Sequence, residues 1–395
     1  MNNTVISKYG NKIVTGKRTG EFNLVRTTYN PEDVTILLKD LSGVMQEIPT
    51  SEREKLIQNG IHYSEMLPEE KEPSKEYEEL YEKALDRTAR DIATYVAKVA
   101  SIIIAKTNKK PIIVSLARAG IPIGILIKRY IESHSLIKCS HYAISIIRDR
   151  GIDVNAMNYI YSAEIESGQS VVDDIFFVDG WTGKGVIARQ INEAVEHLKL
   201  LDNKKWNRLK DDLYVLADPA NITRYCGTRE DFLLPSACLN STVSGLTSRT
   251  ILNSHIDVGA GEFHGAVYFD KFWLIDKSND FLDRVTQHMN TILHARSQGI
   301  DITQDYCSST IMSNICDEFE VKDYKKVKPG IGETTRVLLR RVPWLVLVDE
   351  KVDMETDKDI AHILQLCKEK NVPIERYDLG NYKVCGIIKE LSADA

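Results

Sequence analysis

Three short apolar runs constrain this chain most: "PIIVSL" (111–116), "DIFFVDG" (174–180) and "DLYVLADPA" (212–220). Each is brief, nearly uninterrupted and bounded by Pro, Gly or Asp. A run of that kind suits a strand buried on both faces rather than a half-exposed one. "CSHYAISIIRDRGID" (139–153) is a further strand that ends in a charged, glycine-containing loop. Helical patterns, "IGILIKRYI" and "GVIARQINEAVEHL", alternate with these runs. Alternation of that sort predicts βαβ units and a parallel sheet. Ligands of such sheets lie beyond the carboxyl ends of the strands. The loops "ARAGIP", "RDRGID", "DGWTGKG" and "DPA" all fall there.

The 395 residues are enough for two domains. From Ser74 the pattern is helical and runs on through "IATYVAKVASIIIAK", with the charges of 65–90 on a solvated face. Residues 1–30 read as an extended arm, and "NPEDV" opens a short helix that includes "VTILLKDL". Residues 226–295 are less regular, and "KDYKKVKPGIG" reads as a linker. Beyond it "GETTRVLLRR", "PWLVLVDE", "TDKDIAHILQLCKEKN" and "VPIERY" read as helix, strand, helix and strand, a small α/β unit. The expected division is therefore 1–320 and 321–395.

The net charge is −6, so nucleic-acid contact has to come from a local patch. Seven cysteines are scattered without a CxxC pair, which argues against a disulfide framework or a structural zinc and for a reducing compartment. The N-terminus lacks the apolar core of a secretory signal. No run approaches the roughly 18 apolar residues needed to span a bilayer. The expectation is a cytoplasmic protein without membrane contact.

"DGWTGKG" has the parts of a phosphate cradle. Gly180, Gly183 and Gly185 let backbone N–H groups approach an anion, and the following helix adds partial positive charge at its N-terminus. Thr182 offers a hydroxyl and Lys184 a neutralising charge. Asp179 suits a ribose hydroxyl or Mg²⁺, the one metal expected here. The spacing is neither that of a Walker A loop nor GxGxxG. In "VSLARAGIPIG", Ala119 and Gly120 permit close approach and Arg118 offers a bidentate phosphate contact. Arg148 and Arg150 flank a loop suited to closing over the site.

The order "LARAG" (116–120), "IIRDRGID" (146–153) and "FFVDGWTGKG" (176–185) resembles type I phosphoribosyltransferases. That resemblance implies a pyrophosphate loop at Arg118–Gly120, a flexible basic loop at Arg148 and Arg150, and a 5′-phosphate loop at 179–185. The ligand it implies is phosphoribosyl pyrophosphate or a nucleotide-like molecule, with Mg²⁺ on the diphosphate. Asp179, Lys184 and Arg118 would then be the catalytic groups. Two positions depart from the pattern: the family's second acid is Gly180 here, and its final Thr or Ser is Gly185. A longer set of segments resembles the StiP family: "HYSEMLP", "VSLARAGIPIGILIKRY", "HYAISIIRDRGID", "FVDGWTGKG", "LADPA", "GTREDFLLPSACLNSTVSGLTSRT" and "FHGAVY". Proteins of that family are associated with tellurite-resistance and stress-response gene clusters. They carry the label cysteine protease, and their N-terminal region is also described as phosphoribosyltransferase-like.

That label directs attention to Cys238, which sits among small polar residues. His264 in "EFHGAVY" is the first candidate base, with His62, His141 and His255 as rivals and Asn240 or Asp231 to orient it. The same stretch also suits the wall of a ligand pocket, since Thr228, Arg229, Ser236, Ser241, Thr242 and Arg249 offer donors to an anion or a nucleobase.

Residues 321–345 hold seven basic and two acidic side chains, a local excess in an acidic chain. "GIGETTR" followed by "VPWLVLVDE" resembles the RNA-binding face of the L7Ae/Pelota-type domain. By position, Gly330, Glu333 and Arg336 match its turn, Gly332 replaces its Asn, and Arg340 and Arg341 are auxiliary phosphate contacts. The expected architecture is thus α/β: a type I phosphoribosyltransferase-like parallel sheet joined to an L7Ae/Pelota-like sandwich. The leading expectation is a phosphoribosyltransferase-like enzyme coupled to RNA. The alternatives are a cysteine peptidase using Cys238 and a ligand-sensing RNA-binding protein without turnover.

Overall fold

The computed structural model describes residues 22–388 apart from 108, 167–171, 293–307 and 342, together with 5–6 and 12–13. The expected N-terminal arm lies mostly outside the described residues.

The apolar runs are strands. β1 (Thr35–Ile36), β2 (Ile112–Leu116), β3 (Ser140–Ile144), β6 (Ile175–Trp181), β7 (Leu213–Ala217) and β8 (Tyr225–Thr228) form one parallel sheet in the order β8-β7-β6-β2-β3-β1. Between β3 and β6 lies a two-stranded hairpin, β4 (Ile146–Ile147) with β5 (Gly151–Ile152). Alternate side chains enter different cores: Ile112, Val114, Phe177 and Val215 pack on one face, Ile113, Phe176, Val178 and Leu216 on the other. Because both faces are covered, the runs are apolar throughout rather than alternating.

The second of these faces carries α1 (Lys75–Lys106), α2 (Gly120–His134) and α5 (Ser278–Met289). Ser74 caps α1 by accepting the Tyr77 N–H, as its position before the helical pattern predicts. The first face carries α3 (Val154–Glu166) and α4 (Val186–Leu201). The helix expected over "VTILLKDL" is instead extended chain containing β1. Ile36 and Leu38 enter one core and Leu37 the other, a period of two that no helix provides.

The C-terminal unit follows α6 (Ser308–Glu318). It contains β9 (Val327–Pro329), α7 (Ile331–Arg340), β10 (Pro343–Asp349), α8 (Ala361–Lys370), β11 (Ile374–Tyr377) and β12 (Val384–Ile388). Its sheet order is β9-β12-β10-β11, antiparallel except for the last pair. The expected linker "KDYKKVKPGIG" is structured: Val327 lies in a core with Leu345 and Ile387, so the segment is an edge strand. No helix among the described residues is long and apolar enough to cross a membrane.

Candidate functional site

Leaving aside the edge strand β1, the βα units are ordered second, first, third, fourth, fifth. The chain leaves β2 and β6 toward opposite sides, and the carboxyl ends of these strands flank the crevice where such sheets bind ligands. The two loops meet each other there. A Cβ on Gly120 would lie 2.4 Å from the Val178 carbonyl oxygen, and one on Gly180 would lie 3.2 Å from that of Ala119. The small residues at 119–120 and 180 thus serve loop-to-loop packing.

Arg118 turns away from β6. It donates to Glu70 at 2.8 Å, to the Thr247 carbonyl at 3.0 Å and to Asn240 at 3.2 Å. Burial alone would raise the Glu70 carboxyl; Arg118 and the Ser241 hydroxyl outweigh it and hold it below its ordinary value. Arg148 and Arg150 sit on the β4–β5 turn. The Arg148 N–H donates to the Tyr63 hydroxyl at 2.9 Å, and Arg150 pairs with Glu65.

The groups of the 179–185 loop are engaged within the protein. Asp179 is 8% exposed and accepts the adjacent Gly180 N–H at 2.7 Å. Burial pushes its carboxyl up to about 7. Thr182 donates to Asp218, which also pairs with Arg229 and accepts from Thr223. The Lys184 ammonium donates to the Tyr324 carbonyl at 2.9 Å and lies 4.4 Å from that ring's centre; burial brings it down to about 8, with Lys328 adding to the effect. The Gly183 carbonyl accepts the Tyr382 hydroxyl at 2.5 Å. Gly185 has φ 70°, and a Cβ there would meet Ile222 at 2.4 Å. The loop expected to grip a phosphate is the seat of the C-terminal unit. Among the described residues no group of three or more His, Cys, Asp or Glu is placed to hold a metal. Burial raises the Asp179 carboxyl to about 7, and its one hydrogen bond among the described residues is accepted from the adjacent Gly180 N–H.

Cys238 and His264 are not hydrogen-bonded to each other. The thiol is 1% exposed and donates to the Leu234 carbonyl at 3.7 Å, while Tyr77 donates to the Cys238 carbonyl at 2.9 Å. The His264 ring pairs with the Ser145 hydroxyl at 2.9 Å, and its backbone N–H donates to Asp153 at 2.6 Å. The rivals His62 and His141 are committed elsewhere too: His62 pairs with Ser64, and His141 with Ser115 and the Asp33 carbonyl. Of the two suggested orienting groups, Asn240 accepts from Arg118 and Asp231 caps α7.

The turn "GIGETTR" faces inward. Asp231 accepts the Ile331 N–H, and Gly330, with φ 91°, supplies the bend without a capping side chain. Trp181 lies against Gly332, and the Arg336 guanidinium stands 5.2 Å from the centre of the Trp181 ring system. Arg336 also donates to Glu333 at 3.0 Å and to the Ala237 carbonyl at 3.3 Å, one residue before Cys238. The Glu333 carboxyl would be raised by burial, but Arg336 and Lys328 hold it low. The side chain of Arg340 lies outside the described residues; Arg341 is exposed at the mouth of a cleft between the two units.

That cleft has a volume of about 730 Å³. Arg53, Arg118 and Arg249 line one side, Lys328, Arg336 and Arg341 the other. Sequence reading placed Arg249 on a pocket wall. It missed Glu70, Arg53 and Lys328, and also Trp181 and Tyr382, which join the two units. Only the tertiary fold brings these together; the basic count around 321–345 was the one signal for Lys328.

Residues 27–286 match the family described as "Tellurite-like stress resistance cysteine protease StiP", and residues 307–390 match the PELOTA RNA binding domain. A protein of Acinetobacter baylyi named "Cysteine protease StiP" is 31% identical over 377 residues, covering 92% of this chain and 94% of that one. Two crystal forms of a hypoxanthine phosphoribosyltransferase from Staphylococcus aureus are similar over 36% of this chain and 73% and 72% of theirs, at 13% identity and a TM-score of 0.24. A similarity of that size carries no argument about ligand or reaction. The leading expectation of a phosphoribosyltransferase-like enzyme is therefore corrected. The family and the relative are both named for cysteine protease, and the loop groups on which the expectation rested are engaged by the rest of the chain.

Proposed function

Because this chain belongs to the StiP family, we propose that it is a cysteine peptidase with Cys238 as nucleophile, joined to a C-terminal RNA-binding domain. The observation that carries the peptidase reading is the family match together with the relative's name. The position of Cys238 is compatible with it: Leu239 and Asn240, the next two residues, line the interdomain cleft. A thiolate there would attack a peptide carbonyl, form an acyl-enzyme with loss of the amine, and be released by water. The buried thiol requires the turn to open first. Arg336 on the Ala237 carbonyl and Tyr77 on the Cys238 carbonyl are two clamps that hold it shut. Withdrawal of α7 would remove the first.

The test is hydrolysis of an unfolded protein substrate by the wild type and by Cys238→Ala. Loss of all hydrolysis in the variant supports the reading; full hydrolysis without the thiol sinks it. A second reading, an RNA-binding protein without turnover, is favoured by the separate engagements of Cys238 with Leu234 and of His264 with Ser145. It predicts RNA binding with no thiol-dependent hydrolysis.

The finer architecture also belongs to this proposal. A type I phosphoribosyltransferase-like sheet for 1–320 is supported, as a fold alone, by the parallel order of β2, β3, β6, β7 and β8. An L7Ae/Pelota-like sandwich for 321–395 is supported by the mixed four-stranded sheet and by the match over 307–390.

A further inference from the structure

We propose that the interdomain cleft is an RNA-phosphate site built by both domains, with Arg249 of the N-terminal domain and Lys328 of the C-terminal domain as its anion contacts. The inference rests on the RNA-binding reading and extends it to residues outside the RNA-binding match. Seven basic and four acidic side chains line the cleft, a net positive field in a chain of net charge −6. Two of the acids are already neutralised, Glu70 by Arg118 and Glu333 by Arg336.

Arg249 and Lys328 are different from their neighbours. Both are partly buried, and neither side chain has a hydrogen bond or an ion pair among the described residues. The Arg249 guanidinium stands 4.8 Å from the centre of the Tyr63 ring, a cation–π contact that uses none of its N–H donors. Burial brings its pKa down to about 10, and the like charges of Arg118 and Arg53 add to that. Lys328 is likewise lowered: burial outweighs the opposing charge of Glu333, and Arg341 and Arg148 add to the lowering. Folding thus places two cations that make no direct hydrogen bond or ion pair among the described residues beside other cations, with Glu70 and Glu333 offsetting them only in part. Such an arrangement destabilises a protein unless an anion compensates it, and it is characteristic of binding sites.

The surroundings select RNA over a lone anion. Lys328 lies two residues before Gly330, and Glu333 and Arg336 of the RNA-binding turn line the same wall. Ile388 adds a small apolar surface to the same cleft. A cleft of about 730 Å³ is in the range that holds a drug-sized ligand, so roughly one or two nucleotides fit while the strand continues past Arg341.

The test uses the full chain and a fluorescein-labelled short single-stranded RNA, read by anisotropy across a salt series. Arg249→Gln and Lys328→Gln are each expected to weaken binding about tenfold and to reduce the slope of log Kd against log salt by about 0.7. Arg249→Lys keeps the charge and should stay within a few-fold of wild type. Lys370→Gln, an exposed control on α8 away from the cleft, should change nothing. Circular dichroism of each variant establishes folding, which removal of an unpaired group should not harm. If Lys328→Gln weakens binding but Arg249→Gln keeps the wild-type Kd and slope, RNA lies on the C-terminal domain alone and this inference fails while the reading stands. If the wild type binds no RNA, the reading itself fails. If pyrophosphate binds as tightly as the RNA and displaces it fully, the site is for a small anion and the RNA assignment is overturned.

Discussion

Asp231 caps a helix in the other half of the chain: its carboxylate accepts the Ile331 N–H at 3.0 Å and the Lys383 N–H at 3.0 Å. The residue preceding helix α7 is Gly330, which has no side chain to cap it, so the Ile331 N–H is satisfied across the seam. Asp231→Ala is expected to lower stability by about 2–4 kcal/mol, the sum of a lost cap and stranded buried donors. Asp231→Asn should recover much of that loss. Urea unfolding midpoints measure both; a loss under about 0.5 kcal/mol for the alanine variant would mean the seam does not form in solution.

Gly332 is the position where the RNA-binding resemblance puts Asn. Docking explains the glycine: a Cβ there would lie 3.1 Å from the tip of the Trp181 ring. Gly332→Ala requires a shift of a few tenths of an ångström and should be nearly silent. Gly332→Asn overpacks the contact, and a cost of about 1–3 kcal/mol is expected, with a red shift of tryptophan emission as Trp181 is displaced. Unchanged emission and stability in the Asn variant would contradict the packing described.

Asp179 gives a pH signature. Its folded carboxyl titrates at about 7, against an ordinary 3.8. A raised folded pKa means the native state holds the proton more tightly, so this group's favourable contribution is present at low pH and is lost as pH rises toward 7. Asp179→Asn removes that titration. The variant's advantage over wild type should grow between about pH 4 and pH 7 and level off above, at a slope of about 1.4 kcal/mol per pH unit where the difference in bound protons is complete. Thermal melts at a series of pH values check this; a constant offset would show that the carboxyl is not desolvated.

The buried thiol of Cys238 predicts slow alkylation. Native protein treated with iodoacetamide should be labelled at Cys316, which is only partly buried, well before Cys238. Peptide mapping by mass spectrometry gives the order. Arg336→Ala, which removes the clamp on Ala237, should speed labelling of Cys238; equal rates with and without Arg336 would dissociate the turn from the C-terminal domain.

The parallel sheet was legible because its strands are buried on both faces, and that burial writes itself into the composition of "PIIVSL" and "DIFFV". Helix α1 was legible for the same reason at another period, with Ser74 marking its start. The extended "TILLKDL" was misread because buried residues on alternate faces leave a short apolar run that period alone does not assign. The functional site was legible in parts. Arg249 and the basic turn at 328–341 were both noted, but nothing local shows that they face each other across one cleft. The 179–185 loop misled for a physical reason: glycines that admit a phosphate also admit close packing of neighbouring loops of the same domain. Glycine at 180 and 185 is explained by close approach of Ala119 and Ile222, and the lysine and threonine by internal acceptors.

The central claim is that the turn at 330–336 and the N-terminal loops form one two-sided cleft for RNA. Photocrosslinking of a 4-thiouridine-substituted RNA to the full chain, followed by peptide mapping, tests it most directly. The structure predicts crosslinks in two separate peptides, one around Arg249 and one around Lys328 and Arg336. Crosslinks confined to the C-terminal domain, with none near Arg249, would contradict it.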